Sequence, residues 1–98
     1  MNIRPHPQAE AEIEEAFDYY RRISAELGGD FLAKFEAALT IIRSNPNQGA
    51  FVRPPVRRIS LKRFPYSVVY LARPAEIFVV ALPHKRRRPF YWQSRLTK

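Results

Sequence analysis

Glu76-Ile77-Phe78-Val79-Val80-Ala81-Leu82 is the most apolar of the strand-like runs in this 98-residue chain. The run is rich in β-branched and aromatic side chains, which favour strands over helices. Its apolar residues are consecutive and not alternate, so both faces of the strand are expected to be covered. The run therefore predicts a strand in the interior of a sheet.

Two further strands are predicted before this run, at residues 56–61 and 66–72, where β-branched and aromatic residues cluster. Arg73-Pro74-Ala75 is a short turn, so the last two strands are expected to form an antiparallel hairpin. Residues 47–55 contain many turn-forming residues and are expected to form a loop.

The first half of the chain predicts two amphipathic helices. Pro7 suits the first position of a helix. The first stripe recurs at three- and four-residue spacing and consists of Ile13, Ala16, Phe17, Tyr20, Ile23 and Leu27. Gly28-Gly29 is expected to end this helix, and Asp30 to cap a second one that ends at Asn45-Pro46. The second stripe consists of Phe31, Phe35, Ala38, Leu39 and Ile42. Such a helical hairpin needs a further apolar surface to pack against.

The order of these elements predicts an α+β fold in one domain over residues 1–98. A short edge strand at residues 2–6 precedes the helical hairpin, which covers one face of a curved antiparallel sheet of about four strands. Residues 83–98 are too basic to belong to the core. Within them, Tyr91, Trp92 and Leu96 are expected to dock a short C-terminal helix or tail.

Charge is distributed unevenly along the chain, whose net charge is +8. Residues 1–49 carry eight acids and five bases, a balance of −3, whereas residues 50–98 carry twelve bases and one acid, a balance of +11. Such an asymmetry places a positive field on one side of a small domain. It favours a polyanion or an acidic protein as partner, while the acids of the first helix are interpreted as a solvated surface.

Several functional classes are disfavoured by composition. The chain has no cysteine and only two histidines, and its carboxylates are concentrated in the helices, so neither a metal nor another cofactor is expected. No glycine-rich phosphate loop occurs. No apolar run approaches the ~18 residues of a membrane span, and the polar N-terminus does not resemble a secretory signal. We therefore expect a soluble, cytoplasmic protein without a membrane partner.

An ordered set of motifs gives the chain a resemblance to the RelE/ParE superfamily of toxins. The set consists of Ala9-Glu10-Ala11-Glu12-Ile13-Glu14-Glu15-Ala16 with Tyr19-Tyr20, then Gly29, Phe31 and Phe35, then Asn45-Pro46, Val56-Arg57-Arg58, Arg63-Phe64-Pro65-Tyr66 with Val69-Tyr70, and finally His84-Lys85-Arg86-Arg87-Arg88-Pro89 with Tyr91-Trp92 and Arg95. The resemblance implies the toxin of a type II toxin–antitoxin (plasmid stabilisation) system, neutralised by a cognate antitoxin that wraps around it. RelE-like members cleave mRNA on the ribosome without a metal, whereas ParE-like members poison DNA gyrase without a catalytic site of their own.

The RelE-like mechanism assigns catalytic roles to Arg58, His84, Arg87 and Tyr91. Cleavage by the 2′-OH requires proton transfers and stabilisation of a pentavalent phosphate. An arginine fork suits the phosphate oxygens, and a histidine, tyrosine or lysine suits the proton transfers. For His84 the alternative is an ordinary strand-end histidine that bonds to a backbone carbonyl.

A second set of residues is predicted to bind nucleic acid or antitoxin. It consists of Arg57, Lys62, Arg63, Lys85, Arg86, Arg88, Trp92 and Arg95. Trp92 is suited to stacking on RNA bases, or alternatively to packing as a cap on the sheet. The run of bases from Lys85 to Arg88 suits phosphates or an acidic antitoxin, or alternatively forms a solvated surface.

Two positions depart from the RelE-like pattern, because Ser60 and Ser67 stand where that pattern has cations. Three hypotheses remain open at this point. They are a ribosome-dependent mRNA endoribonuclease, a non-enzymatic gyrase inhibitor, and a non-toxic nucleic-acid-binding module.

Overall fold

The computed structural model describes residues 2–96, in which one strand, two consecutive helices and four further strands form an α+β fold. In chain order the elements are β1 (Asn2–Pro5), α1 (Pro7–Ile23), α2 (Ala25–Ser44), β2 (Ala50–Arg53), β3 (Val56–Ser60), β4 (Ser67–Ala72), β5 (Glu76–Ala81) and a short 3₁₀ helix (Gln93–Leu96). The predicted strands β1, β3, β4 and β5 are confirmed, each within one residue at either end. No helix among these residues is long and apolar enough to cross a membrane.

The strands form one sheet in the order β1-β5-β4-β3-β2. β2 to β5 pair antiparallel, but β1 runs parallel to β5, with Asn2 opposite Glu76. The predicted α+β fold, with a helical hairpin and a largely antiparallel sheet, is confirmed, but the sheet has five strands and not about four, and its β1–β5 pairing is parallel. The helical hairpin leads from β1 to β2, and three successive antiparallel reversals from β2 to β5 leave β5 running in the direction of β1. The fifth strand, β2, lies inside the predicted loop, where Ala50 pairs with Arg58 just before Pro54-Pro55 turns the chain back.

The sheet is covered on both faces. Residues 77–81 are all buried, as the consecutive apolar pattern predicts. Their alternate side chains face opposite sides: Ile77 and Val79 join the core beneath the helices, and Phe78 and Val80 join a second cluster that includes Trp92. Trp92 is 3% exposed, so the expected cap on the sheet is confirmed. Residues 83–98 were expected to lie outside the core, and this was wrong for Trp92 and Arg95, which are both buried.

The boundary between the helices lies at Ser24, four residues before the predicted glycine stop. The Ser24 backbone is extended, and its hydroxyl accepts a hydrogen bond from the Leu27 N–H, so Ser24 ends α1 and caps α2. Gly28 lies within α2, where a Cβ would come 2.9 Å from the Arg21 Cα. The glycine therefore allows close approach of two helices and does not end one. Ile23, the last residue of α1, is 58% exposed and is not part of the core stripe.

Candidate functional site

A cleft of about 210 Å³ opens on the sheet face opposite the helices, between β3, β4 and the segment after β5. It brings together three of the four residues to which the RelE-like pattern assigns catalysis: Arg58, His84 and Arg87. We call this the cationic cleft, and its lining also includes Ser67, Lys85, Arg88 and apolar side chains such as Val69.

The alternation of β3 decides which arginine reaches the cleft. Arg58 points to the cleft face, whereas its neighbour Arg57 points to the other face. The Arg57 guanidinium donates hydrogen bonds to the backbone carbonyls of Asn47 (2.9 Å) and Gly49 (2.8 Å). It also lies 3.9 Å from the centre of the Phe51 ring. Arg57 is thus occupied in holding the loop before β2, outside the cleft.

The two serines at positions where the RelE-like pattern has cations lie opposite each other on β3 and β4. The Ser60 and Ser67 hydroxyl oxygens are 3.3 Å apart, within hydrogen-bond distance. In the RelE-like pattern, cations at these two positions would attract phosphate. In this chain two neutral hydroxyl groups occupy the positions instead. The cleft therefore depends on Arg58 and on the segment after β5 for its positive charge.

His84 lies at the end of the sheet, opposite Tyr66 in an isolated β-bridge. Its Nδ1 accepts a hydrogen bond from the Arg86 N–H at 3.1 Å, and its ring meets the Tyr66 ring edge-on with centroids 5.2 Å apart. With Nδ1 acting as acceptor, the neutral imidazole carries its proton on Nε2. The bond expected of a strand-end histidine was to a backbone carbonyl, whereas His84 accepts from a backbone amide instead.

The cations of the cleft lack carboxylate partners. Within residues 2–96, the side chains of the cleft-lining Arg58, Lys85 and Arg88 make no hydrogen bond or ion pair, and neither does that of Arg86, which lies outside the lining. Lys62 and Arg63 lie outside the cleft lining, and Arg63 forms an exposed ion pair with Asp30 at 3.1 Å. Unpaired cations grouped around a cleft create a positive potential that attracts polyanions.

Tyr91 does not line the cleft and instead faces α1. Its hydroxyl donates a hydrogen bond to the Glu12 Oε2 at 3.0 Å, while its ring lies under the Arg87 guanidinium at 3.8 Å. Burial raises the pKa of Tyr91 far above its usual value, and the Glu12 carboxylate raises it further. Tyr91 is therefore held as a neutral hydrogen-bond donor.

Arg95 is buried and pairs with the same carboxylate. One Arg95 nitrogen donates to Glu12 at 2.8 Å and the other to the Val80 carbonyl at 3.0 Å. Arg95 therefore lies in the interior with Trp92, and neither is presented on the surface as a binding residue. Their burial results from the docking of the terminal 3₁₀ turn on the second cluster.

Glu12 is the residue that the sequence interpretation missed. The acids of α1 were expected to be solvated, yet the Glu12 side chain is only 13% exposed. Burial alone raises the pKa of its carboxyl group, but hydrogen bonds from Arg95, the Leu82 N–H and Tyr91 outweigh burial and lower the pKa overall. The available clue was the spacing of Glu12 to Ala9 and Ala16, which places it on the buried face of α1.

Comparison with known proteins identifies a matching family model and a similar solved structure. The family model for the ParE toxin of the type II toxin–antitoxin system parDE matches residues 3–89. A solved structure from the chromosomal ParDE TA system of P. aeruginosa is similar, with 23% sequence identity and a TM-score of 0.71. The match covers 86% of this chain and 95% of that one. No curated protein matches the chain.

Proposed function

The chain belongs to the ParE toxin family of type II toxin–antitoxin systems, and we propose that it arrests growth by binding DNA gyrase in the cytoplasm, without cleaving RNA. The cationic cleft and the exposed bases from Lys85 to Arg88 supply the binding surface. A cognate antitoxin neutralises the toxin by covering this surface with an acidic segment, for which the unpaired cations provide the attraction.

The observation that carries this proposal is the environment of Tyr91. RNA cleavage requires one group to remove the 2′-OH proton and another to protonate the leaving oxygen. Because Tyr91 is bound to Glu12 outside the cleft and remains protonated, His84 is left there with Lys85, an exposed lysine whose side chain makes no hydrogen bond within residues 2–96. Binding to a target, by contrast, requires positive charge but no proton transfer, and the arginines and the lysine that line the cleft supply that charge.

The mRNA-cleaving alternative keeps one observation in its favour. Arg58, His84 and Arg87 line a single cleft, so a phosphate there would meet two guanidinium groups beside an imidazole. In that case His84 performs proton transfer while the arginines stabilise the charge of the pentavalent phosphate. This mechanism requires no metal.

The deciding experiment induces the chain alone in bacteria and follows growth, RNA 5′ ends and gyrase-linked DNA breaks together. We expect growth arrest with gyrase-linked breaks and no new mRNA ends in translated frames. Arg58→Ala should weaken the arrest, whereas Arg43→Ala, which removes an exposed charge from α2 on the helical side, should leave it unchanged.

His84→Asn separates the two mechanisms. The Asn carbonyl oxygen can replace Nδ1 as acceptor for the Arg86 N–H, but the amide cannot transfer protons near neutral pH. Gyrase binding predicts that His84→Asn retains growth arrest. New mRNA ends that disappear in His84→Asn, in the absence of DNA breaks, would overturn the gyrase proposal and establish the nuclease.

A further inference from the structure

The Glu12 carboxylate is a junction between α1 and the C-terminal segment. Its Oε1 accepts the Leu82 N–H at 2.9 Å, and its Oε2 accepts both the Tyr91 hydroxyl at 3.0 Å and the Arg95 guanidinium at 2.8 Å. Three donors that are distant in sequence from Glu12 thus converge on two oxygens. A carboxylate has lone pairs for all three, whereas an amide has one acceptor oxygen.

The junction extends to the cationic cleft through the Tyr91 ring. The Arg87 guanidinium lies 3.8 Å from the ring centre, within the range of a cation–π interaction. The Arg87 side chain makes no hydrogen bond or ion pair with any residue in the range 2–96, so the ring is what orients it. Arg87 also lines the cleft. The ring face is in turn fixed by the hydroxyl bond to Glu12.

We propose that Glu12 is a positioning residue for Arg87 and acts through Tyr91. The α1 carboxylate holds the Tyr91 hydroxyl, the ring carries the Arg87 guanidinium, and the guanidinium is presented to whatever anionic group enters the cleft. This inference rests on the proposed function only in assigning Arg87 to target binding. The coupling of the three side chains is a property of the free protein.

A purely structural role for Glu12 makes a different prediction. An anchor that only stabilises the fold changes the free energy of unfolding and leaves the orientation of Arg87 in the folded protein unchanged. A positioning role changes the surroundings of Arg87 while the chain remains folded. Stability measurements alone cannot separate these roles, so the test must report on the Arg87 side chain.

Nuclear magnetic resonance of the purified full chain provides that report. The Arg87 side-chain protons lie over the Tyr91 ring, so the ring current moves their resonances upfield. Tyr91→Leu removes the ring and defines complete loss of the upfield shift. Glu12→Gln should move the Arg87 resonances part of the way to that limit. Glu14→Gln, an exposed acid on the same helix, should not move them.

A second variant covers the case in which Glu12→Gln does not fold. Tyr91→Phe keeps the ring and the Glu12–Arg95 pair but removes the hydroxyl, and it should also reduce the upfield shift of Arg87. Native amide resonances in β3 and β4 identify folded protein. Unchanged Arg87 resonances in folded Tyr91→Phe or Glu12→Gln protein would overturn the proposal.

Growth arrest tests the consequence at the target. Glu12→Gln and Arg87→Ala should each raise the inducer concentration needed for arrest, and the double variant should need no more than Arg87→Ala alone, because both changes act through one guanidinium. Independent, additive effects would contradict positioning. If gyrase-linked breaks are absent but the Arg87 resonances move as expected, the proposed target fails and the positioning role stands.

Discussion

Substituting alanine at the two adjacent glycines of α2 tests the helical hairpin directly. An added Cβ at Gly29 meets no atom within 4 Å, whereas at Gly28 it lies 2.9 Å from the Arg21 Cα and 3.0 Å from the Arg21 Cβ. Real Cβ atoms do not approach backbone so closely, and the Arg21 backbone belongs to α1. Gly28→Ala therefore requires the two helices to move apart.

The expected effects have opposite signs. Inside a helix, alanine is favoured over glycine by about 0.8–1.0 kcal/mol, so Gly29→Ala should raise the free energy of unfolding by about that amount. Gly28→Ala gains the same propensity but incurs about 1–3 kcal/mol of overpacking, which leaves a net loss of roughly 1 kcal/mol. The two variants should thus differ by about 2 kcal/mol, which corresponds to a difference of roughly 8–16 °C in Tm for a domain of this size.

Urea and thermal unfolding followed by circular dichroism measure this difference, with the unsubstituted chain as reference. Equal stabilisation by both substitutions would refute the close approach of α1 and α2 at Gly28. Destabilisation by Gly29→Ala would instead indicate that a helix ends at the glycine pair, as the sequence alone predicts.

Two further predictions concern carboxylates. Glu12→Ala leaves the buried Arg95 charge without its partner and should lower the free energy of unfolding in urea by about 3–5 kcal/mol; a loss below about 1 kcal/mol would contradict the buried pair. The hydrogen bond from Arg4 outweighs partial desolvation and lowers the pKa of Glu76 from 4.5 to about 2, and the pKa of Glu12 is also lowered. Between the unfolded pKa of 4.5 and the folded pKa of about 2 for Glu76, the unfolded chain binds more protons than the folded one. The free energy of unfolding should therefore fall as the pH decreases from about 4.5 to about 2. Glu76→Gln should reduce this dependence in acid titrations of unfolding, and an unchanged slope would contradict the assignment.

The sequence predicted those parts of the fold in which pattern and packing agree. Consecutive apolar residues at 77–81 belong to a strand buried on both faces, and Asn45 ends α2, as expected. The glycine pair was misinterpreted because glycine both ends helices and permits close helix packing, and only tertiary contacts separate the two uses. β2 was missed because four residues at a sheet edge before two prolines carry little strand pattern.

The candidate site was predictable in its charge but not in its geometry. Arg58, His84 and Arg87 were identified from their order along the chain, and the structure brings them to one cleft. Tyr91 was assigned to catalysis because it matches the RelE-like pattern. The order of residues along the chain does not show which way the Tyr91 hydroxyl points. The partner it bonds, Glu12, lies 79 residues away among other acids of a helix. Its spacing to the buried Ala9 and Ala16 places it on the inner face of α1, but no pattern in the sequence shows which donors it meets there.

The parallel pairing of β1 with β5 also bears on the order of events in folding. Asn2 pairs with Glu76, so forming this ladder requires closing a loop between residues that lie 74 positions apart in the chain. Loop-closure entropy opposes such contacts until nearer ones have formed, whereas the helical hairpin and the β3–β5 meander close over short distances. We expect β1 to join the sheet after the folding transition state, so substitutions at Ile3 should accelerate unfolding more than they slow refolding in stopped-flow measurements. The helical hairpin and the meander thus fold ahead of the edge strand that completes the sheet.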